Sequence, residues 1–174
     1  DGPTSNQMDL LYLGTPANVG SLGALDATAV HELQHLINFS NKVVKHGLAL
    51  PAETWLDESL AHLAEDLGGQ GYDTINAVYE YLDSFGTTSL TLTNYDGSAD
   101  EIRNRGAGYL FARYLVEQAG GVDLDGGAPA GGGVALLQAL AGSDLQGIAN
   151  VEAATGRDFA ELFGDFLVAV ALDG

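Results

Sequence analysis

The chain has 174 residues, enough for one domain and too few for two ordinary ones, and 46% of it is hydrophobic against 17% charged, so it can bury a core without staples. Its 24 Asp and Glu against 6 Lys and Arg leave a formal net charge of −18, which repels nucleic acid and anionic membrane surfaces and suits cations, high salt or an extracellular setting. With no cysteine, disulfides, thiol catalysis and Cys-ligated zinc are excluded, and any metal must be held by His and carboxylate. The longest apolar run, Phe166 to Leu172, is far short of the ~20 residues that span a bilayer. No signal peptide is visible and Asp1 stands first, so the sequence reads as a processed or excised piece.

Met8 to Leu13 is short, apolar and followed by Gly14, Thr15 and Pro16, which predicts a buried strand. A loop from Thr15 to Leu25 leads to Asp26 as N-cap of a first helix over 27–44, with Val30, Leu33, Leu36, Ile37 and Val44 at helical spacing. Thr54 and Asp57 resemble a capping box opening a second helix. Its apolar stripe is Leu56, Leu60, Leu63, Ala64 and Leu67, and it stops at Gly68 and Gly69. A third helix is expected over 73–85 with Ile75, Val78, Tyr79 and Leu82 inward, then a short strand or a loop over 89–93. A fourth helix covers 105–119 and ends at Gly120 and Gly121, ahead of a glycine-rich loop. Two or three more follow, over 134–141, 145–154 and 158–172, the last with Phe159, Leu162, Phe163, Phe166, Leu167 and Val170 on one side. No repeat or linker divides the chain, so residues 1–174 read as one domain: α+β, predominantly α-helical, with a small sheet.

The chemistry is concentrated at His31-Glu32-Leu33-Gln34-His35, an H-E-x-x-H motif inside the first helix. Residues four apart share a helix face, so both imidazoles reach one ion, and neutral imidazole suits Zn²⁺. Glu32, one step round, can take a proton from a water that the ion acidifies. With 4 His and 9 Glu, chance placement would produce this motif in about one chain of two hundred. A catalytic zinc needs a third protein ligand and an open position. The second helix offers Glu58, 23 residues beyond His35, with Asp57 and His62 as competitors. His46, after the end of the first helix, is suited to helix C-terminal carbonyls rather than to a metal.

HELQH followed by WLDESLAHLAED resembles the gluzincins, zinc metallopeptidases whose third ligand is a Glu on a second helix. The hyicolysin family of secreted metallopeptidases is the nearer likeness, with HELQHLINF, TWLDESLAHLAEDLGG, GAGYLFARYLVEQAGG and a terminal segment like FAELFGDFLVAV in this order, spanning most of Met8 to Leu172. The resemblance implies a zincin-type core, His31, His35 and Glu58 as zinc ligands, and Glu32 as general base. Thermolysin-like gluzincins carry a carboxylate four residues after the Glu ligand. Here that position is His62, so the group orienting His31 or His35 must come from elsewhere, with Asp66 or a backbone carbonyl as candidates. No G-x-M-E-N exopeptidase motif lies between Thr15 and Asp26, which favours an endopeptidase.

Such a site also needs a donor for the developing oxyanion, and Tyr109, Arg105 and Arg103 sit near the start of the fourth helix. The competing reading of Tyr109 is a core aromatic, and of the arginines surface charge balance. Two acidic clusters could bind calcium: Asp96, Ser98, Asp100 and Glu101, and Asp123 with Asp125; neither has EF-hand spacing. Trp55 reads as a staple between the first two helices. The expectation is therefore a secreted, monomeric zinc metalloendopeptidase that hydrolyses peptide bonds through a metal-activated water with Glu32 as general base. Its partner is a peptide or protein substrate, with no nucleic acid and no membrane. The alternatives are an inactive zinc-stabilised binding domain and a zinc hydrolase of a non-peptide bond.

Overall fold

In the computed structural model, residues 22–49, 53–71, 74–91, 98–124 and 130–173 are described. Their helices are α1 (Leu22–Asn38), α2 (Thr54–Leu67), α3 (Thr74–Asp83), α4 (Ala99–Gln118), α5 (Gly132–Gly142), α6 (Gly147–Thr155) and α7 (Phe159–Asp173). α1 runs on without a break into a π-helical stretch, Phe39–Lys45.

Two stripes on α2 organise the packing. Trp55, Leu56, Leu60 and Leu63 form a buried apolar stripe that meets Phe111, Leu115 and Val116 of α4 and the aromatic side chains of α7. Glu58, His62 and Glu65, spaced i, i+4 and i+7, fall on a second stripe, and this one reaches α1. Trp55 packs edge-on 6.0 Å from Phe159 and tilted 6.4 Å from Phe111, so it staples α2 to α4 and α7 rather than to α1. The aromatic cluster continues through Phe163 and Phe166, which bears out the inward face read for the last helix.

Glycines let α4 approach its neighbours closely. A Cβ on Gly106 would collide with the Ala77 carbonyl of α3, and one on Gly108 with Ser59 Oγ of α2. The Gly106 contact sets α3 down on Thr74, Ala77 and Tyr81, which are buried; of the residues expected inward, Leu82 packs half-buried against the core and Val78 is half-buried, whereas Ile75 and Tyr79 are exposed. The apolar residues of the first helix are also displaced outward, with Leu33, Ile37 and Val44 exposed.

The expected sheet is not found. Among the described residues there is no strand, only an isolated antiparallel bridge between Asp123 and Ala130. The apolar segment Met8–Leu13 lies outside the described residues. Within 89–93, residues 89–91 are irregular and Leu90 is buried in the helical core, so the Leu/Thr alternation supplies a plug instead of a sheet face. Side chains from α2 to α7 together with Leu90 close the core. The described fold is therefore all-helical, not α+β with a small sheet.

Two predicted caps also differ. α1 begins at Leu22, which places Asp26 inside the helix. Glu53, not Thr54, is the N-cap of α2, and no side-chain cap bond forms. No described helix is long and apolar enough to cross a membrane.

Candidate metal centre

Three carboxylates and three imidazoles meet where α1 crosses the polar stripe of α2. The i, i+4 spacing on α1 brings His31 Nε2 and His35 Nε2 to 3.1 Å from each other. From α2, Glu58 Oε2 lies 3.5 Å from His31 Nε2 and Glu58 Oε1 lies 3.7 Å from His35 Nε2. The opposite nitrogens of both rings face carboxylates: His31 Nδ1 is 2.6 Å from Glu65 Oε1, and His35 Nδ1 is 2.9 Å from Asp57 Oδ2. Asn38 Nδ2 donates to the other oxygen of Asp57, and Thr74 Oγ1 of α3 donates to Glu65 Oε2 at 3.3 Å.

This arrangement asks for a cation. A carboxylate accepts hydrogen bonds, so each Nδ1 carries a proton and, in the neutral ring, each Nε2 presents its lone pair. Two lone pairs and a carboxylate then point into one small volume, which is repulsive unless positive charge sits among them. Metal–ligand bonds of 2.0–2.2 Å in a tetrahedron put neighbouring donors about 3.3 to 3.6 Å apart. The 3.1 Å between the imidazole nitrogens, and the 3.5 and 3.7 Å from them to one and the other Glu58 oxygen, bracket that value. His31, His35 and Glu58 thus fit a zinc-type ion. A second grouping, His31 with His62 and Glu65, also lies within metal-holding reach. Its contacts of 2.6 and 3.0 Å are shorter than a tetrahedral edge and are those of hydrogen-bonding or ion-paired groups supporting His31 from behind.

The electrostatics agree with a site that demands positive charge. Burial alone would lower His31, but hydrogen bonds and charge from Glu58 and Glu65 lift it to about 9. Asp57 raises His35 against the opposing effect of burial. Burial would raise Glu58, yet the His31 hydrogen bond and the Arg105, His35 and His31 charges hold it below its ordinary value. Glu65, also opposed by burial, is driven down to about 2 by His31 and His62. Without a metal, the centre satisfies its carboxylates by taking up protons.

Glu32 is half-buried and lines a cleft of about 390 Å³ together with His31, His62, Glu65 and Arg105. Arg105 Nη1 donates to Glu58 Oε2 at 2.9 Å. Tyr109 is not on this wall: its O–H donates to Asp66 Oδ2 at 3.0 Å, where Arg113 also binds at 2.7 Å. Asp66 is therefore engaged elsewhere, and the groups orienting the two motif histidines are Glu65 and Asp57. Glu65 stands seven residues after Glu58, a two-turn spacing that could have marked it in the sequence. Arg103 pairs with Asp100 at 3.0 Å. Of the acidic clusters, Asp96 and Asp125 lie outside the described residues, Asp100 and Glu101 form ion pairs with arginines, and neither cluster forms a metal-holding group among the described residues. His46 Nε2 meets the Gly142 carbonyl at 2.9 Å, at the C-terminus of α5.

No family model and no solved structure matches the chain. Among curated proteins it is 27% identical over 128 residues to Neutral metalloprotease ShpI of Staphylococcus hyicus, a match covering 68% of this chain and 28% of that protein. The chain thus spans less than a third of the relative's length. What is established is similarity to a metalloprotease, together with a His/His/Glu group able to hold a metal ion.

Proposed function

We propose that the chain is the catalytic domain of a secreted zinc metalloendopeptidase of the gluzincin type, akin to the hyicolysins. The convergence of His31, His35 and Glu58 at donor separations that suit zinc carries the reading. The metalloprotease relative supports peptide or protein as the substrate class. Zinc, when bound, supplies a Lewis acid that polarises the scissile carbonyl and acidifies water. His31, His35 and Glu58 hold it; Glu65 and Asp57 fix the histidine tautomers from behind. Glu32, on the cleft wall, takes a proton from the attacking water and delivers it to the leaving amine. Arg105 lines the same cleft, whereas Tyr109 spends its hydroxyl on Asp66. Of the three expected oxyanion donors, Tyr109, Arg105 and Arg103, only Arg105 lines the cleft.

The test is hydrolysis of casein and of a peptide library by the wild type and Glu32→Gln, with and without a chelator, alongside metal analysis. Chelation should abolish cleavage, and Glu32→Gln should lose about 10²- to 10⁴-fold in rate while retaining zinc. Near wild-type cleavage by zinc-loaded Glu32→Gln contradicts the assigned base. Zinc binding with no hydrolysis of any peptide identifies an inactive binding domain or a hydrolase of another bond.

A further inference from the structure

Arg105 stands at the junction of α1, α2 and α4 with each part of its guanidinium engaged. Nε and Nη2 donate to Glu101 Oε1 at 3.1 and 2.9 Å, one helical turn back on α4. Nη1 donates to Glu58 Oε2 at 2.9 Å and approaches His62 Nε2 at 3.2 Å. Guanidinium is planar, always charged and a donor only, so Glu101 fixes the fork and the fork fixes what Nη1 can touch. Because Nη1 cannot accept, His62 Nε2 must offer its lone pair there, which turns the His62 Nδ1 side towards Glu65 Oε1 at 3.0 Å.

His62 is otherwise well placed to become a ligand. Its ring lies 4.9 Å from that of His31, about as near as the His35 ring at 4.8 Å. An imidazole lone pair beside two histidines and a carboxylate would compete with Glu58 for a zinc-type ion, since imidazole is a good ligand for it.

We infer that Arg105 is the positioning residue of this centre: it aims the Glu58 carboxylate at the His31–His35 pair and, by occupying His62 Nε2, keeps that imidazole out of the donor set. This rests on the metal-site reading above. Arg105 also partly offsets the Glu58 charge, a compensation it shares between Glu58 and Glu101.

The experiment titrates Co²⁺ into the chelator-treated wild type, Arg105→Gln, Arg105→Lys, Glu101→Gln and Arg105→Gln/His62→Leu, reading affinity and the visible spectrum, with circular dichroism to show that each is folded. His31→Gln and Glu58→Gln serve as site controls. Arg105→Gln should weaken cobalt binding or shift its spectrum as an added nitrogen donor does, with an affinity change of about tenfold. Removing His62 in addition should reverse the spectral part, and Arg105→Lys should restore charge but not the wild-type spectrum. Glu101→Gln, which leaves Arg105 in place, should move the spectrum the same way to a smaller extent. If the wild type binds one Co²⁺ in a manner dependent on His31 and Glu58, while folded Arg105→Gln matches it in affinity and spectrum, this inference is overturned and the metal site stands. If the wild type binds no cobalt, both fall.

Discussion

Raising the pH of the metal-free protein from about 6 to about 9.5 should remove a stabilising interaction that zinc makes unnecessary. The group concerned is His31, which faces His35 on its own helix, Glu58, His62 and Glu65 from α2, and Arg105 beyond Glu58 from α4. Burial opposes its charge, but Glu58 and Glu65 outweigh burial and carry it from 6.5 to about 9. A group raised on folding stabilises fully below its unfolded value and loses that contribution as pH rises through its folded value. The loss therefore falls between 6.5 and about 9. At about 1.4 kcal/mol for each pH interval of one, the climb corresponds to roughly 3 kcal/mol, and the attraction of His31 for Glu65 is counted once in it. Urea denaturation of chelated wild type and His31→Gln at several pH values measures this directly. The wild type should lose about 3 kcal/mol across the window and the variant much less. Zinc-loaded protein should show little of the loss, because the ion replaces the proton. An equal decline in chelated wild type and His31→Gln would refute the argument.

Three further outcomes follow from particular contacts. Asp57→Asn should weaken zinc binding about 10- to 100-fold by calorimetry, because Asp57 holds the His35 Nδ1–H at 2.9 Å; unchanged affinity would remove Asp57 from the centre. Lys42, fully buried in the π-helical stretch, donates to the Ser143 and Leu145 carbonyls at 2.9 and 2.8 Å. Lys42→Met should thus cost about 2 kcal/mol or more in urea melts by orphaning both, and an unchanged midpoint would refute it. Gly106→Ala should destabilise by about 1–3 kcal/mol in thermal melts, since the new methyl meets the Ala77 backbone and α3 must retreat. A wild-type melting temperature would show that α3 and α4 are not packed so closely.

What could be read in the sequence was what a single helix determines. His31 and His35 share a face because four residues make about one turn, and Glu58 stands on a neighbouring helix whose ends are marked by sequence. The apolar side of α7 was equally plain. What crosses between helices was not. Asp57 stood beside Glu58 as a rival ligand, and only the seating of α1 on α2 places it behind His35. Glu65 required knowing that the 58–62–65 stripe, not just the apolar one, is covered. On α3 the periodicity allowed two adjacent faces, and the backbone contact at Gly106, a property of α4, selects the one containing Ala77. Of the strand and loop readings left open for 89–93, the described residues take the loop, because alternation over so few residues is satisfied by burying Leu90. The π-helical stretch and its buried lysine have no local signal, since Lys42 is drawn inward by carbonyls about a hundred residues later in the chain.

The central claim is that one ion is held by three named side chains, and a crystal of zinc-loaded protein measured at the zinc absorption edge tests it most directly. The account predicts one strong anomalous peak per chain, about 2.0 Å from His31 Nε2, His35 Nε2 and a Glu58 oxygen, with Glu65 and Asp57 behind the two rings. A peak seated on His62 and Glu65, or no peak between the two motif histidines, would contradict it.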